Sequence, residues 1–287
     1  VKNIARELKK CYNIRYIEID PKWVEPCFTN VLISEEELDE SEEELKVGGW
    51  KYLNGLSRMD KLHQLWVFLN TILALRPSMI YSIDPGGGNK PEINLDLGIK
   101  GGYFPHYKKA KAVWHARKHM LPSCSLKVNG THYHIWIEKT IWIRGGTVRP
   151  DIMLLKGDLR IEFENGKSIS MYLNGELLEK WTDKRMPRWT IGPDENRGRL
   201  FSPTEIYAEI ECKESQSAYF RKDREVNLEL RKRLNVKKKI LVTLEGTCPP
   251  SEYREYYEFV IFDDLNPQRL QNSLAILLGD ANRNGGN

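Results

Sequence analysis

The sequence of 287 residues predicts an α+β protein with a central mixed β-sheet flanked by helices. Apolar residues recur at helical spacing between Leu62 and Leu73, which indicates a buried helix. Between Ser125 and Leu173 the chain has the alternation and the Asn-Gly turns of consecutive hairpins. After Lys213 the expected order is helix, strand, strand, helix, and a strand that returns across a helix usually pairs in parallel.

Residues 1–100 are expected to form a mostly helical region of unknown role. A strand is predicted at about 14–19, and the first long helix begins at Asp60 and ends before Pro77, because proline disfavours helix in the residue before it. The glycine-rich segment 84–91 is predicted as a loop. It lacks the Lys-Ser/Thr ending of a phosphate-binding loop, so no nucleotide site is expected there.

Residues 101–287 are expected to form one domain rich in strands. Its strands are predicted at 125–128, 131–137, 140–143, 151–155, 158–163, 167–173, 209–213, 239–244 and 258–262. Its helices are predicted at 107–120, 218–234 and 268–278. The first of these helices is strongly basic with an interleaved Trp114, which suits either a phosphate backbone or a solvated face over a buried tryptophan.

Composition narrows the class of protein. The net charge is only +4, so contact with nucleic acid would depend on where basic residues lie, and the acidic run at 34–45 leaves the remainder distinctly basic. Five widely spaced cysteines without a Cys-x-x-Cys pair argue for a reducing compartment and against a zinc knuckle. No apolar run approaches a membrane span and no secretory signal opens the sequence, so a cytoplasmic protein is expected.

Two short stretches carry residues suited to catalysis. Asp151 follows a proline at the head of an apolar run, and residues 209–213 alternate acidic and apolar side chains before ending in a lysine. On a strand, Glu209, Glu211 and Lys213 project to one face, while the residues between them project to the other. Carboxylate oxygens suit Mg²⁺ or Mn²⁺, and a lysine beside such an ion can orient the attacking water.

These stretches resemble a known pattern. Pro150-Asp151 followed by Glu211-Cys212-Lys213 is similar to the PD-(D/E)xK signature of the restriction-endonuclease-like nuclease superfamily. The resemblance implies a restriction-endonuclease-like core and a metal-dependent DNA endonuclease. It also implies that Asp151 and Glu211 bind Mg²⁺, for which Mn²⁺ can substitute, and that Lys213 positions the water that attacks a phosphodiester.

Further residues near the motifs are candidates for the same site. Glu209 shares the face of Glu211 and is a candidate outer ligand of the metal. Gln216 and Tyr219 follow the lysine at positions where some relatives carry a Gln and a Tyr that line the site. These two residues are therefore candidates for support behind the metal ligands.

The sequence offers a second candidate for the first acid of the motif and no third acid in the preceding predicted helix. Pro193-Asp194 is a second Pro-Asp pair, nearer to the lysine motif, but polar loop residues follow it, so Asp151 is preferred and Asp194 is held in reserve. Relatives often add an acid from a preceding helix. The predicted helix at 107–120 offers none, so Asp60, Glu138 or a residue of the acidic run would have to serve.

The spacing between Asp151 and Glu211 exceeds the simplest form of the signature and requires an insertion at about 157–203. We expect a β-hairpin followed by a polar loop with two tryptophans. The candidates for contact with DNA are Lys180, Lys184, Arg185, Arg188, Trp189, Arg197 and Arg199. Basic residues would contact phosphates and a tryptophan would stack on an unpaired base, or else the tryptophans pack beneath a surface loop.

Two other interpretations remain open. A nuclease-like fold without the chemistry would bind nucleic acid or a partner protein, although the intact Asp, Glu and Lys argue against it. A zinc site would use His115 and His119 on a helix with His132 and His134 on a strand, but no glutamate stands beside His115 as in zinc hydrolases.

Cutting both strands of a duplex would favour a symmetric homodimer.

Overall fold

The computed structural model describes residues 14–18, 56–84, 88–90, 93–96, 122–139, 141–143, 146–164, 168–182, 205–219 and 228–279. These residues form a mixed α+β structure. The described strands are β1 Ile14–Glu18, β2 Met79–Asp84, β3 Gly88–Lys90, β4 Ile93–Asp96, β5 Cys124–Val128, β6 Thr131–Ile137, β7 Ile141–Ile143, β8 Gly146–Val148, β9 Ile152–Lys156, β10 Leu159–Glu164, β11 Ser168–Leu173, β12 Glu176–Thr182, β13 Ala208–Lys213, β14 Lys239–Leu244 and β15 Phe259–Asp263. The described helices are α1 Leu56–Leu75, α2 Leu228–Arg231, α3 Ser251–Tyr256 and α4 Pro267–Leu278, with a 3-10 turn at Gln216–Tyr219.

One large mixed sheet organises the described residues. Its strand order is β15-β14-β13-β9-β6-β5-β2-β3, with β3 joined to the end through β2. The strands β13, β14 and β15 pair in parallel, and the remaining neighbours pair antiparallel. The mixed sheet and the parallel pairing expected after Lys213 are therefore confirmed. Smaller sheets pair β1 with β4, β7 with β8, and β11 with both β10 and β12.

The main hydrophobic core lies between the large sheet and the two long helices. It joins Leu69 and Ile72 of α1, Leu274 of α4, and Ile210 and Ile240 of the central strands, all fully buried. The described part of the predicted N-terminal region thus contributes α1 to the same core, and β2 and β3 to the same sheet, as the later residues. The division at residue 100 itself stays a prediction.

A second core covers the opposite face of the sheet. Met153 and Leu155 of β9 pack there with Met171 and Leu173 of β11 and Leu178 of β12, all of which are buried. Strands β10 to β12 lie between β9 and β13 in sequence, where an insertion is predicted. The predicted hairpin of β10 and β11 is confirmed, and a third strand extends it.

The Asn-Gly turns explain why the hairpins form where the sequence predicts them. Asn129 and Gly130 have φ of 48° and 80°, and Asn174 and Gly175 have φ of 52° and 83°. Positive φ at both central positions is the geometry of the tight turn that suits twisted strands, and Asn and Gly adopt it at the lowest cost. The strands on either side of these turns therefore begin and end within one residue of the predicted positions, apart from β12, which was not foreseen.

Several predicted boundaries are wrong. The first long helix begins at Leu56, one turn before Asp60. The segment predicted as a loop at 84–91 contains β3, which pairs with the end of β2 and so forms a hairpin. Short strands of glycine and polar residues carry little periodicity, so backbone pairing decides the structure there.

The predicted helix at 218–234 differs from the structure as well. A 3-10 turn occupies Gln216–Tyr219, and α2 ends at Arg231, followed by a turn. Residues 220–227 lie outside the described residues. The short helix α3 was not predicted, because its sequence of Ser, Glu, Tyr and Arg has no apolar stripe. Within the described residues, no helix combines the length and apolarity that a membrane crossing needs.

Candidate active site

Strand β13 carries the acidic motif in the interior of the large sheet, between β9 and β14. Ile210 and Cys212 face the main core against α1 and α4. Glu209, Glu211 and Lys213 face the other way and are at most 4% exposed. The predicted division of side chains between the two faces is confirmed.

Asp151 lies beside this motif because β9 runs antiparallel to β13, with Ile152 opposite Ile210. Its Oδ2 accepts a hydrogen bond of 2.8 Å from the backbone N–H of Cys212. Its backbone carbonyl accepts from Gln64 Nε2 at 2.9 Å. Asp151 is partly exposed and is thus fixed by contacts with β13 and α1.

Glu211 is held between two cations. Lys213 Nζ lies 2.9 Å from Oε1, and Arg231 Nη2 lies 2.9 Å from Oε2. Burial opposes ionisation of Glu211, but Arg231 and Lys213 outweigh burial, so the pKa of Glu211 lies below its usual value. Burial would lower the pKa of Lys213, but the charges of Glu211 and Asp151 raise it overall. Both groups are therefore ionised near neutral pH.

Glu209 sits deeper than Glu211. Its carboxylate has no solvent exposure, and its Oε2 lies 3.8 Å from Arg231 Nη1. Burial raises the pKa of Glu209, and the charge of Arg231 opposes this only in part. The role of Glu209 as an outer metal ligand stays a prediction, and in the structure its oxygens face Arg231.

Arg231 is the residue of this site that the sequence did not reveal. It lies within the charge-rich segment predicted as a helix at 218–234, and it is only 2% exposed. Its Nη1 donates to the Tyr257 hydroxyl at 2.7 Å and its Nη2 donates to the Arg149 carbonyl at 3.0 Å. An arginine in a charged segment has no local signal for burial, because its acidic partners are distant in sequence.

Tyrosines surround the lysine of the motif. The Tyr253 ring lies 5.8 Å from Lys213 Nζ and packs edge-on against Tyr219 at 4.9 Å between centroids. The Tyr219 hydroxyl donates to Thr243 Oγ1 at 2.9 Å. Tyr219 is thus one residue removed from Lys213, and its supporting role behind the metal ligands stays a prediction.

Gln216 supports the loop after β14 rather than an acid. Its Nε2 donates to the Cys248 carbonyl at 2.9 Å, and its Oε1 accepts from the Cys248 N–H at 2.7 Å. This pair of hydrogen bonds ties the 3-10 turn to the segment that leads into α3. Its predicted place in the lining of the site is not tested by these contacts.

Glu138 is the candidate third acid that the structure brings near Asp151. It follows β6 and donates its backbone N–H to the Asp151 carbonyl at 2.8 Å. Glu138 is 5% exposed and has φ of 50°, a conformation that is costly for a side chain of this size. Arg149 Nη1 lies 3.9 Å from its Oε2. Asp60 belongs to α1, but its side chain lies outside the described residues, as does the acidic run.

Other predicted site residues also fall outside the described part of the chain. These are Lys184, Arg185, Arg188, Trp189, Arg197 and Arg199 of the insertion, the reserve acid Asp194, and the helix at 107–120. Lys180 was predicted in a loop, but its backbone lies in β12. The Asn174-Gly175 turn sends the chain back along β11, so pairing extends the strand through Thr182.

The strand histidines of the zinc interpretation have other partners. His134 is fully buried, its Nε2 donates to the Gly157 carbonyl at 2.9 Å, and its Nδ1 accepts from Ser125 Oγ at 2.7 Å. Burial lowers the pKa of His134 to about 4. His132 hydrogen bonds to Tyr81. In the described structure these two histidines thus support the strands around them.

No group of three or more His, Cys, Asp or Glu suited to a metal ion occurs among the residues that the structure describes. Comparisons with protein-family models, with curated proteins and with solved structures found no match to this chain. The described residues define an α+β protein with a mixed sheet. Its candidate site consists of acids and cations near the ends of the central strands.

Proposed function

We propose that this chain is a metal-dependent DNA endonuclease that hydrolyses phosphodiester bonds, with a restriction-endonuclease-like core of the PD-(D/E)xK type. The main support is the proximity of Asp151, Glu211 and Lys213 on two paired strands, although Asp151 and Glu211 are far apart in sequence. A cytoplasmic location is part of the proposal.

The residues present fit Mg²⁺ or Mn²⁺ by donor chemistry. Asp151 and Glu211 offer hard carboxylate oxygens from neighbouring strands, and Asp151 is partly exposed. Both oxygens of Glu211 are paired with cations, so Glu211 must exchange one of these ion pairs to bind a metal. Two carboxylates completed by water and substrate phosphate are a usual set for Mg²⁺.

Each residue of the site would have a separate role in the proposed hydrolysis. When bound, a divalent cation would supply charge stabilisation at the phosphate oxygens and make a bound water more acidic. Asp151 is fixed by its hydrogen bond from the Cys212 N–H and would hold the cation at the start of β9. Lys213 has only N–H donors, so it would orient the attacking water and bind a phosphate oxygen. The Tyr253 ring restricts the position of that ammonium.

A catalytically inactive module that binds nucleic acid or a partner protein is the second candidate. Its support is that Arg231 and Lys213 neutralise both oxygens of Glu211, as in a purely structural ion network. In such a module the acids would stabilise the fold and bind no metal.

Incubation with labelled duplex, single-stranded and branched DNA separates the two candidates. Each substrate is tested with Mg²⁺, with Mn²⁺ and with EDTA. The endonuclease proposal expects cleavage that requires metal and that identifies the substrate class. Binding without cleavage under every metal would support an inactive module that binds nucleic acid. Neither binding nor cleavage would contradict the endonuclease and would leave only a module that binds a partner protein.

A further inference from the structure

Arg231 connects the acids of the candidate site. Its guanidinium is 2% exposed and contacts Glu209, Glu211, Tyr257 and the carbonyl of Arg149. The Arg149 carbonyl lies two residues before Asp151 in sequence. A single buried cation therefore fixes the two acidic side chains of β13 relative to the segment that carries the first acid of the motif.

The charges of the site nearly cancel without a metal ion. Glu209 and Glu211 are balanced by Arg231 and Lys213, Glu138 is paired with Arg149, and Asp151 adds one negative charge. The positive charge of Lys239 also acts on Glu209 and further reduces the net negative charge of the site. Among the residues that the structure describes, at most one unit of negative charge is thus left for a divalent cation. A cation alone would leave excess positive charge in a largely buried site, which is costly.

A phosphodiester removes this excess, since each phosphate brings one negative charge. We propose that Arg231 is a positioning residue that makes cation binding conditional on nucleic acid. It holds Glu211 and supplies part of the positive charge that the cation would otherwise provide, so that cation and phosphodiester bind well only together. This inference rests on the proposed function and adds that the cation and the nucleic acid bind cooperatively. Because coupling between two ligands is reciprocal, the cation must strengthen nucleic-acid binding by the same factor.

The test measures Mn²⁺ binding by the loss of the free-ion electron paramagnetic resonance signal. The wild-type chain is titrated alone and with a duplex whose phosphorothioate linkages keep the charge and slow hydrolysis, and a duplex-only blank is subtracted. We expect the duplex to raise the Mn²⁺ affinity at least tenfold, on the order of one screened interaction between a divalent and a monovalent charge about 6 Å apart.

Arg231→Gln should raise the affinity for Mn²⁺ alone by about tenfold and shrink the coupling by the same factor. Arg231→Lys, which keeps the charge, should restore weak binding of Mn²⁺ alone. The matched control is Arg254→Gln. It removes the same charge from a side chain that donates to the Pro249 carbonyl and to Cys248 Sγ, and it should change neither quantity.

Equal Mn²⁺ affinity with and without duplex in the wild type would overturn the inference, and this result needs no variant. Unchanged Mn²⁺ affinity in a folded Arg231→Gln would overturn it as well. If metal-dependent cleavage occurs but coupling is absent, only this inference fails. If Mn²⁺ binds under neither condition, the proposed function fails with it.

Discussion

Arg231 and Glu211 form a buried ion pair, with 2.9 Å between Nη2 and Oε2, at the centre of the candidate site. Arg231 is the last residue of α2, a single turn of helix between β13 and β14, whereas Glu211 lies in β13 itself. The crossover between two parallel strands therefore returns a cation to the acids of the first strand. Both the stability of the fold and the proposed chemistry depend on this buried ion pair between Arg231 and Glu211.

Arg231→Gln should lower the free energy of unfolding by about 3 kcal/mol or more, because removal of one partner leaves Glu209 and Glu211 buried without that countercharge. Urea denaturation at neutral pH measures the loss. The control is Arg269→Gln, which breaks the ion pair with Asp264 on the exposed face of α4 and should have little effect. Equal losses in the two variants would show that burial of the pair carries no special cost.

Glu209→Gln should make stability less dependent on pH. Burial raises the pKa of Glu209 in the folded state above its ordinary value of 4.5. The folded protein then holds this proton more tightly than the unfolded chain, so its contribution is complete below pH 4.5 and is lost as pH rises through the folded pKa. Glutamine cannot titrate, so the variant should gain stability relative to the wild type as pH rises. A constant difference in unfolding midpoint across the acid-to-neutral range would contradict this.

His134 should make the fold sensitive to acid. Its pKa falls from 6.5 to about 4 on burial, so the folded protein keeps it neutral while the unfolded chain takes up a proton. This contribution is complete above pH 6.5 and is lost as pH falls toward 4. At pH 5 the loss is about 2 kcal/mol. Nuclear magnetic resonance of the imidazole checks the cause, and a titration midpoint near 6.5 in the folded protein would refute it.

Local chemistry made much of the sheet predictable. The Asn129-Gly130 turn sets the β5–β6 hairpin, and continuous apolar residues place β14 and β9 within one residue of the observed bounds. These features depend on neighbouring residues, which a single sequence displays directly. The approach of Asp151 to the acidic motif, which is distant in sequence, was expected only from the resemblance of both motifs to a family signature.

The features of the site that the sequence did not predict depend on contacts between residues that are distant in sequence. Arg231 is buried only because Glu209 and Glu211 lie across the crossover, and nothing near Arg231 in sequence records them. Likewise, Glu138 approaches Asp151 through strand pairing and an unusual φ of 50°. Charge patterns in a single sequence do not show which acids or cations will lie close together in the folded chain.

The most direct test of the proposed function is the rate of Mg²⁺-dependent DNA cleavage by Asp151→Asn beside Asp158→Asn. The two substitutions are chemically identical, and the control carboxylate is 86% exposed at the far end of β9. We predict that Asp151→Asn lowers the rate by about a hundredfold or more, because it removes a metal ligand, while Asp158→Asn cleaves like the wild type. Cleavage by Asp151→Asn at the wild-type rate would contradict the proposed site.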